Sequence, residues 1–184
     1  MTIKYLPNLL SVIRLLLVPV FMVLFLTGSI LAAVIVFVTA GITDVVDGYI
    51  ARRFHCTSTL GKVLDPLADK LLQMSAFFCL WYREYIPFWM PLLYLLKELA
   101  TVFGALFIFR KTKFVVKSNF FGKLATVLVF GAVLAIALFK DVLGTTGVNV
   151  ICILVALYFV FSCAVYCREE LMKIIRSASG KKRS

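Results

Sequence analysis

The sequence is poor in charge, and the charge that it has is mostly of one sign. Only 16% of the 184 residues are charged, with 9 acidic residues against 20 lysines and arginines, whereas 62% are hydrophobic. Soluble globular domains usually have about a quarter charged and about half apolar residues. Because apolar stretches of about 20 residues recur along the chain, the composition predicts an integral membrane protein.

Histidine and cysteine are also scarce, which limits the metal and disulfide chemistry open to the chain. His55 is the only histidine, and with Cys56 it would supply two ligands, too few for a zinc site. Five cysteines in apolar surroundings argue against a disulfide framework. A net charge of +11 would suggest nucleic acid in a soluble protein. In a membrane protein it indicates cytoplasmic loops that meet anionic headgroups, so no nucleic-acid partner is expected.

Hydropathy and turn residues predict an all-α, polytopic fold with six transmembrane helices. The first segment lacks the pattern of a cleaved signal peptide and is expected to remain. The sequence has no defensible internal repeat, so residues 1–184 are expected to form a single membrane domain with a basic surface tail at about 168–184. The predicted helices span residues 7–26, 30–53, 59–82, 87–109, 119–139 and 148–167.

The distribution of lysine and arginine predicts the orientation of these helices. The connections near 54–61 and 110–118 and the C-terminal tail are rich in basic residues, whereas the connections between them have one or none. Cytoplasmic loops of membrane proteins carry the excess of basic residues. Both termini are therefore expected in the cytoplasm, which requires an even number of spans.

Four of the nine acidic residues lie between positions 44 and 69, at the cytoplasmic ends of the second and third predicted helices. Asp44 and Asp47 are three residues apart and Asp65 and Asp69 are four apart, so each pair lies on one helical face. The two helices are expected to be antiparallel neighbours, so the faces can converge. Carboxylates without histidine or thiolate suit a hard cation such as Mg²⁺, Mn²⁺ or Ca²⁺. Two pairs suggest a two-metal site that clamps phosphate oxygens.

Small and basic residues near the aspartates favour phosphate chemistry. Gly48 and Gly61 each lie one helical turn from an aspartate. Glycine inside a helix costs roughly 1 kcal/mol relative to alanine, so it usually marks a close approach of the backbone. Ala51 is also small, and Arg52 follows Gly48 by four residues and can reach a phosphate from the same side.

The complete pattern is Asp–x–x–Asp–Gly–x–x–Ala–Arg, eight residues, and Gly–x–x–x–Asp–x–x–x–Asp. It resembles the signature of the CDP-alcohol phosphotransferase family at all eight fixed positions. The resemblance implies six transmembrane helices, a homodimer in the bacterial cytoplasmic membrane and an active site that faces the cytoplasm. It also implies transfer of a phosphatidyl group from CDP-diacylglycerol to an alcohol, with release of CMP.

The resemblance assigns a role to each matched position. Asp69 would be the general base that takes the proton of the acceptor hydroxyl, with Asp65 as a second catalytic carboxylate. Two Mg²⁺ or Mn²⁺ ions would be held by Asp44, Asp47, Asp65 and Asp69. The nucleotide part of the donor would be lined by Gly48, Ala51, Arg52 and Gly61.

The opening "PNLLSVIRLLLVP" resembles the start of bacterial phosphatidylglycerophosphate synthases and of cardiolipin synthases that use CDP-diacylglycerol. The later part of the sequence differs from the pattern of these synthases, since Lys97-Glu98 stands in place of their usual Arg-Glu pair. Thr126 is present in "GKLATVLVF", but the glutamine that often follows is missing. Lys97 and Glu98 are expected to pair with neighbouring helices, and a direct part in catalysis is the less favoured alternative.

Glycerol 3-phosphate is the favoured acceptor, and phosphatidylglycerol, inositol, inositol phosphate and serine remain open. An arginine in an apolar helix pairs, snorkels or binds a ligand, and Arg14 can be either a snorkelling residue or a ligand contact. Basic residues of the 110–118 loop are also expected from topology alone. The candidates for binding the acceptor phosphate are Arg110, Lys117, Lys123 and Arg14.

Two other classes of protein compete with the enzyme. Intramembrane acids often mark ion paths, so an ion-coupled transporter is one rival. The aspartates lie at one end of the helices, whereas a transporter should have polar groups near the midplane. A non-catalytic scaffold is the other rival, and it would be expected to have lost a motif aspartate.

Substitution of the motif aspartates tests these roles. Asp69→Asn should remove turnover, because an amide cannot accept the proton of the acceptor hydroxyl. Asp65→Ala should remove the metal-dependent activity. Release of CMP measures both, and an Asp65→Ala protein whose metal-dependent activity is unchanged would rule out the two-metal site.

Overall fold

The computed structural model describes the backbone of residues 6–54, 61–112 and 120–180, and the side chains of residues 11–44, 67–104, 124–165 and 168. The secondary structure in these ranges is entirely helical. This confirms the predicted all-α fold. The elements are α1 (Leu6–Leu26), α2 (Ile30–Phe54), α3 (Gly61–Tyr82), α4 (Trp89–Thr112) and α5 (Phe120–Gly180).

The last element, α5, consists of two helical segments that meet at a break. Phe139 (φ −119°, ψ 17°) and Gly144 (φ 60°, ψ −176°) both depart from helical geometry. The conformation of Gly144 is one that essentially only glycine adopts. An unbroken helix of 61 residues would be about 90 Å long. Because Val133 and Phe159, on opposite sides of the break, are both buried in one core, the second segment folds back along the bundle.

Two tight turns of the same kind join α1 to α2 and α3 to α4. In the first, the Ser29 N–H donates to the Leu24 carbonyl (3.0 Å) and the Gly28 N–H donates to the Phe25 carbonyl (3.2 Å), with Gly28 at φ 95°. This is a Schellman motif, which satisfies carbonyls that the end of a helix would otherwise leave unpaired. Because the turn reverses the chain within a few residues, α1 and α2 are antiparallel.

The second turn repeats these bonds with Glu84 in the left-handed position, at φ 57°. A residue other than glycine costs roughly 1–2 kcal/mol there. The turn lies beside the break in α5, because the Lys140 ammonium is 3.8 Å from the centre of the Tyr85 ring. It also shares a cavity of about 340 Å³ with Thr145 and Val148. The first turn is close by, since a Cβ added at Gly28 would lie 3.1 Å from Arg83 Nη2. All three reversals therefore lie at one end of the bundle.

Aromatic side chains connect the helices in the core. Phe21 of α1 is 5.4 Å from Phe37 of α2, measured between ring centres, and Phe37 stacks on Phe130 of α5 at 4.1 Å. Such pairs stabilise a core by about 0.5–1.5 kcal/mol beyond the area that they bury. The Phe130 ring can come this close because Gly41 has no side chain, and a Cβ there would lie 2.3 Å from Phe130 Cζ.

Large apolar side chains cover much of the outer surface of the bundle. Leu16, Phe103, Val127 and Leu157 are all more than 60% exposed. Among the residues whose side chains are described, the stretch 124–165, which includes the break, is long and apolar enough to cross a bilayer, with a mean hydropathy of 2.6. Only 28% of its most apolar part is buried inside the protein, unlike the core helix of a soluble domain. This outer surface is consistent with a membrane protein.

The helices lie where the hydropathy pattern predicts them, with differences at some ends. The fourth begins at Trp89 rather than at residue 87, whereas the predicted start of the third, at residue 59, lies outside the described residues. The last continues to Gly180, well past the predicted end at 167, so the predicted surface tail is helical through Gly180. Residues 168–176 lack glycine and proline and include several strong helix formers, so helix propensity extends beyond the apolar run. Six spans and cytoplasmic termini remain predictions.

Gly41→Ala should lower the stability of the protein by about 1–3 kcal/mol, because the added methyl group must displace the stacked Phe130 ring. Gly131→Ala is the matched control on the same pair of helices, since a Cβ there meets nothing within 4 Å. It should be neutral or stabilise the helix by about 0.5–1 kcal/mol. Thermal unfolding in detergent compares the two, and equal stabilities would contradict the proposed packing.

Candidate active site

A cavity of about 470 Å³ lies between α1, α2, α3 and α5. Its polar wall is formed by Arg14, Asp44 and Asp69, which come from three different helices. Most of the remaining wall is apolar. Such a cavity suits a ligand with a charged part and a long apolar part. The other described lining residues are Val38, Ala40, Gly41, Ile42, Leu72, Thr126, Val127, Phe130 and Leu134.

An ion pair between Arg14 and Asp44 joins α1 to α2 at the polar wall. Arg14 Nη1 donates a hydrogen bond to Asp44 Oδ1. The Arg14 side chain is completely buried, whereas that of Asp44 is 42% exposed. Arg14 therefore does not snorkel to the surface, which was one of its two predicted roles. Its guanidinium supplies the countercharge that a carboxylate needs at the edge of an apolar bundle.

Asp69 is held by two neighbours on its own helix. Gln73 Nε2 donates a hydrogen bond to Asp69 Oδ1 at 3.0 Å, and Lys70 Nζ lies 4.0 Å from Asp69 Oδ2. Gln73 is in turn bound by α4, since the Tyr94 hydroxyl donates to Gln73 Oε1 at 2.7 Å. Asp69 is thus linked to α4 through a chain of two hydrogen bonds.

A three-residue charge cluster ties α3 to α4 beside this chain. Glu98 Oε1 lies 3.0 Å from Lys70 Nζ and 2.6 Å from Lys97 Nζ. The Lys97 ammonium also lies 5.5 Å from the centre of the Phe159 ring, within range of a cation–π contact. The predicted pairing of Glu98 with a neighbouring helix is therefore confirmed. The Lys70 ammonium therefore lies between two carboxylates and is closer to Glu98 than to Asp69.

The structure brings together those predicted site residues whose side chains it describes. Asp44 and Asp69, the first and last aspartates of the motif, line the same cavity, as does Thr126. This agrees with the predicted convergence of α2 and α3. The other predicted site residues lie outside the ranges in which side chains are described: Asp47, Gly48, Ala51, Arg52, Gly61, Asp65, Arg110, Lys117 and Lys123.

The donor atoms of the cavity are of the type that a hard divalent cation binds. Asp44 and Asp69 line one space with carboxylate oxygens, and neither histidine nor thiol is among the described residues that line it. Within 11–44, 67–104 and 124–165, no three acidic, histidine or cysteine side chains are grouped closely enough to hold a metal. A complete site would need Asp47 and Asp65 as well, in keeping with the four-aspartate motif.

Some contacts of the site were not predicted from the sequence. Gln73 and Tyr94 belong to apolar runs, and nothing in their spacing indicates that they bond to each other. The contact between Arg14 and Asp44 could have been predicted from the sequence, because the two residues lie at similar distances along the chain from the turn at Gly28. Counting outward from that turn places them at the same depth in antiparallel helices.

Comparison with known proteins identifies the family. Residues 4–162 match the family model described as CDP-alcohol phosphatidyltransferase. The chain belongs to this family. The match includes all four motif aspartates, the Arg14–Asp44 pair and the charge cluster on α3 and α4.

Relatives within the family act on more than one acceptor, according to their names. The CDP-diacylglycerol–glycerol-3-phosphate 3-phosphatidyltransferase of Bacillus subtilis is 37% identical over 136 residues, which is 66% of this chain and 70% of the relative. The enzyme of the same name from Rickettsia typhi is 46% identical over 72 residues, 38% of this chain and 40% of the relative. The cardiolipin synthase (CMP-forming) of Streptomyces coelicolor is 37% identical over 127 residues, 65% of this chain and 59% of the relative.

A double-mutant cycle on Arg14→Met and Asp44→Asn tests the ion pair. Each single change should lower the unfolding temperature, because it removes one member of a charge-assisted hydrogen bond. We expect a coupling of about 1–2 kcal/mol, a value that allows for the partial exposure of Asp44. Thermal unfolding of the four proteins in detergent measures it. Strictly additive losses would show that the two side chains do not interact.

Proposed function

We propose that this family member transfers the phosphatidyl group of CDP-diacylglycerol to the hydroxyl of glycerol 3-phosphate and releases CMP. The observation that carries the proposal is the position of Asp44 and Asp69. These ends of the family motif meet in one cavity whose other walls are largely apolar. The donor combines a charged diphosphate with two acyl chains, and a cavity with one polar wall suits both parts.

A second acceptor is supported by a specific finding. The Streptomyces relative, named a cardiolipin synthase, is as similar to this chain as the Bacillus relative, at 37% identity. Phosphatidylglycerol is therefore the alternative acceptor, with the same donor and the same leaving group. Inositol, inositol phosphate and serine belong to the same reaction class, but no relative named above favours them.

Two divalent cations, Mg²⁺ or Mn²⁺, belong to this proposal, and their ligands would be the four motif aspartates. Asp44 and Asp69 support it through the hard oxygen donors that they present to one cavity. When bound, the cations would neutralise the diphosphate and stabilise CMP as the leaving group. The ligand set would be Asp44, Asp47, Asp65 and Asp69.

Proton transfer, positioning of the carboxylates and substrate binding are assigned to residues of the chain. Asp69 is the proposed general base: as the acceptor oxygen forms its bond to the phosphatidyl phosphorus, the bond to CMP breaks and a carboxylate oxygen takes the proton. Arg14 holds Asp44 in place, and Glu98 shares the Lys70 ammonium with Asp69. The donor nucleotide is assigned to Gly48, Ala51, Arg52 and Gly61, and the acceptor phosphate to Arg110, Lys117, Lys123 and Arg14.

The proposed setting is a bacterial cytoplasmic membrane crossed by six helices, with both termini and the active site on the cytoplasmic side and the protein as a homodimer. The apolar outer surface and the alternation of basic and neutral connections support the membrane arrangement. Membership of a transferase family weighs against the ion-coupled transporter.

Release of CMP by the purified protein tests the function. The protein receives CDP-diacylglycerol, Mn²⁺ or Mg²⁺ and one acceptor at a time. Release with glycerol 3-phosphate alone, abolished by a chelator and by Asp69→Asn, is the expected result. Ser75→Ala on the same helix is the matched control, because the Ser75 hydroxyl donates only to its own helix, at Leu72 O (2.8 Å).

The other outcomes separate the alternatives. Release with phosphatidylglycerol and not with glycerol 3-phosphate would support the cardiolipin synthase reaction. Release with inositol or serine alone would support CDP-diacylglycerol as the donor but would show that the acceptor belongs to another chemical class. No release with any acceptor would refute the proposed transfer.

A further inference from the structure

Gln73 and Tyr94 form a buried hydrogen-bonded chain that ends on the Asp69 carboxylate. Both residues are 1% exposed, and the two bonds are 2.7 Å and 3.0 Å long. Gln73 lies one turn after Asp69 on α3, and Tyr94 lies on the adjacent α4. The Tyr94–Gln73 bond is fully buried, so losing one partner would leave the other without a hydrogen bond in the core.

The chain fixes which end of the Gln73 amide faces Asp69. An amide has one accepting and one donating end, whereas an ionised carboxylate only accepts. If the amide turned over, its oxygen would face the oxygen of Asp69 and both acceptors would repel. With Nε2 donating to Asp69, Oε1 is left to accept from the Tyr94 hydroxyl, and this bond holds the far end of the amide in place.

The consequence for Asp69 is a defined orientation of its carboxyl plane. Oδ1 is bound by Gln73, while Oδ2 has Lys70 Nζ at 4.0 Å, an ammonium that is closer to Glu98. Groups that orient a catalytic or metal-binding carboxylate through a hydrogen bond commonly affect metal affinity or activity by 10- to 100-fold when removed. Gln73 is well placed for such a role.

We infer that Gln73, oriented by Tyr94, is a positioning residue that holds the Asp69 carboxylate in the geometry required for binding a divalent cation and for accepting the acceptor proton. This inference rests on the proposed function for the role of Asp69. It goes beyond that function by adding two residues, neither of them part of the aspartate motif. Gln73 and Tyr94 act through Asp69 and need not touch either substrate.

A purely structural role would have a different signature. Gln73 could simply satisfy two buried partners and join α3 to α4. Replacing a buried polar residue with an apolar one of similar shape can then change stability without affecting the reacting groups. The test therefore needs a readout other than stability.

The test uses Gln73→Met, Tyr94→Phe and the double variant, with Ser75→Ala as the control. Methionine keeps the unbranched shape of glutamine without its hydrogen bonds, and phenylalanine keeps the Tyr94 ring and its contact with Phe77 (4.9 Å). Each protein is titrated with Mn²⁺ alone and followed by electron paramagnetic resonance. The kcat and the KM for CDP-diacylglycerol are measured separately by CMP release.

Gln73→Met should weaken Mn²⁺ binding and lower kcat by about tenfold, with little change in the donor KM. Tyr94→Phe should cause a loss of about threefold, because one neutral hydrogen bond is removed. The double variant should be no worse than Gln73→Met alone, since Tyr94 acts only through Gln73. Ser75→Ala should match the wild type.

Two results would overturn the inference. One is Mn²⁺ affinity and kcat within twofold of the wild type in both single variants, and the other is losses that multiply in the double variant. If Gln73→Met does not fold, Tyr94→Phe decides alone, with unchanged affinity and kcat counting against the inference. Wild-type protein that releases no CMP, but whose Mn²⁺ affinities follow the expected order, would refute the proposed transfer and leave the positioning role standing.

Discussion

A charge surrounded by apolar helices is stable only when another group compensates it, and this requirement organises the polar end of the bundle. Arg14 compensates Asp44 between α1 and α2. Glu98 compensates Lys70 between α3 and α4, and Lys97 adds to the same cluster. The partners are drawn from neighbouring helices, so the ionic contacts that make the carboxylates tolerable also fix how these helices lie against each other.

The compensation is incomplete at the cavity, and the proposed binding of a metal ion and transfer of a proton require this. Asp44 is 42% exposed despite its partner, and Asp69 is bound firmly only by a neutral amide. A carboxylate fully neutralised by a close cation would have little capacity left for a metal ion or a proton. Glu98 matters for the same reason, since the Lys70 ammonium is shared between two carboxylates and lies closer to Glu98 than to Asp69.

The sequence predicts the helices and the meeting of Asp44 with Asp69, because both follow from local rules. Hydropathy sets where a helix lies, and a three- or four-residue spacing sets which face a side chain occupies. The Tyr94–Gln73 bond and the fit of Phe130 on Gly41 depend on how two helices are rotated against each other. That rotation is decided by packing of the whole core, for which no single segment carries a signal. The end of the last helix was also predicted wrongly, because the apolar run ends near residue 167 whereas the residues that favour a helix continue beyond it.

Within the described residues, three reversals of the chain lie together at the end opposite the cavity, at Gly28, at Glu84 and at the break near Gly144. They contain few charges: none in the first, Arg83 and Glu84 in the second, Lys140 and Asp141 in the third. In the proposed orientation these are the segments that must cross the bilayer while the protein is being inserted. In the second and third connections the two opposite charges nearly cancel, so each connection can cross the bilayer as the nearly neutral tip of a helical hairpin. Insertion of these hairpins would then require no large polar segment to cross the membrane. Each helical hairpin could then enter the membrane as a unit, and the charged cavity would assemble on the side where the chain is made.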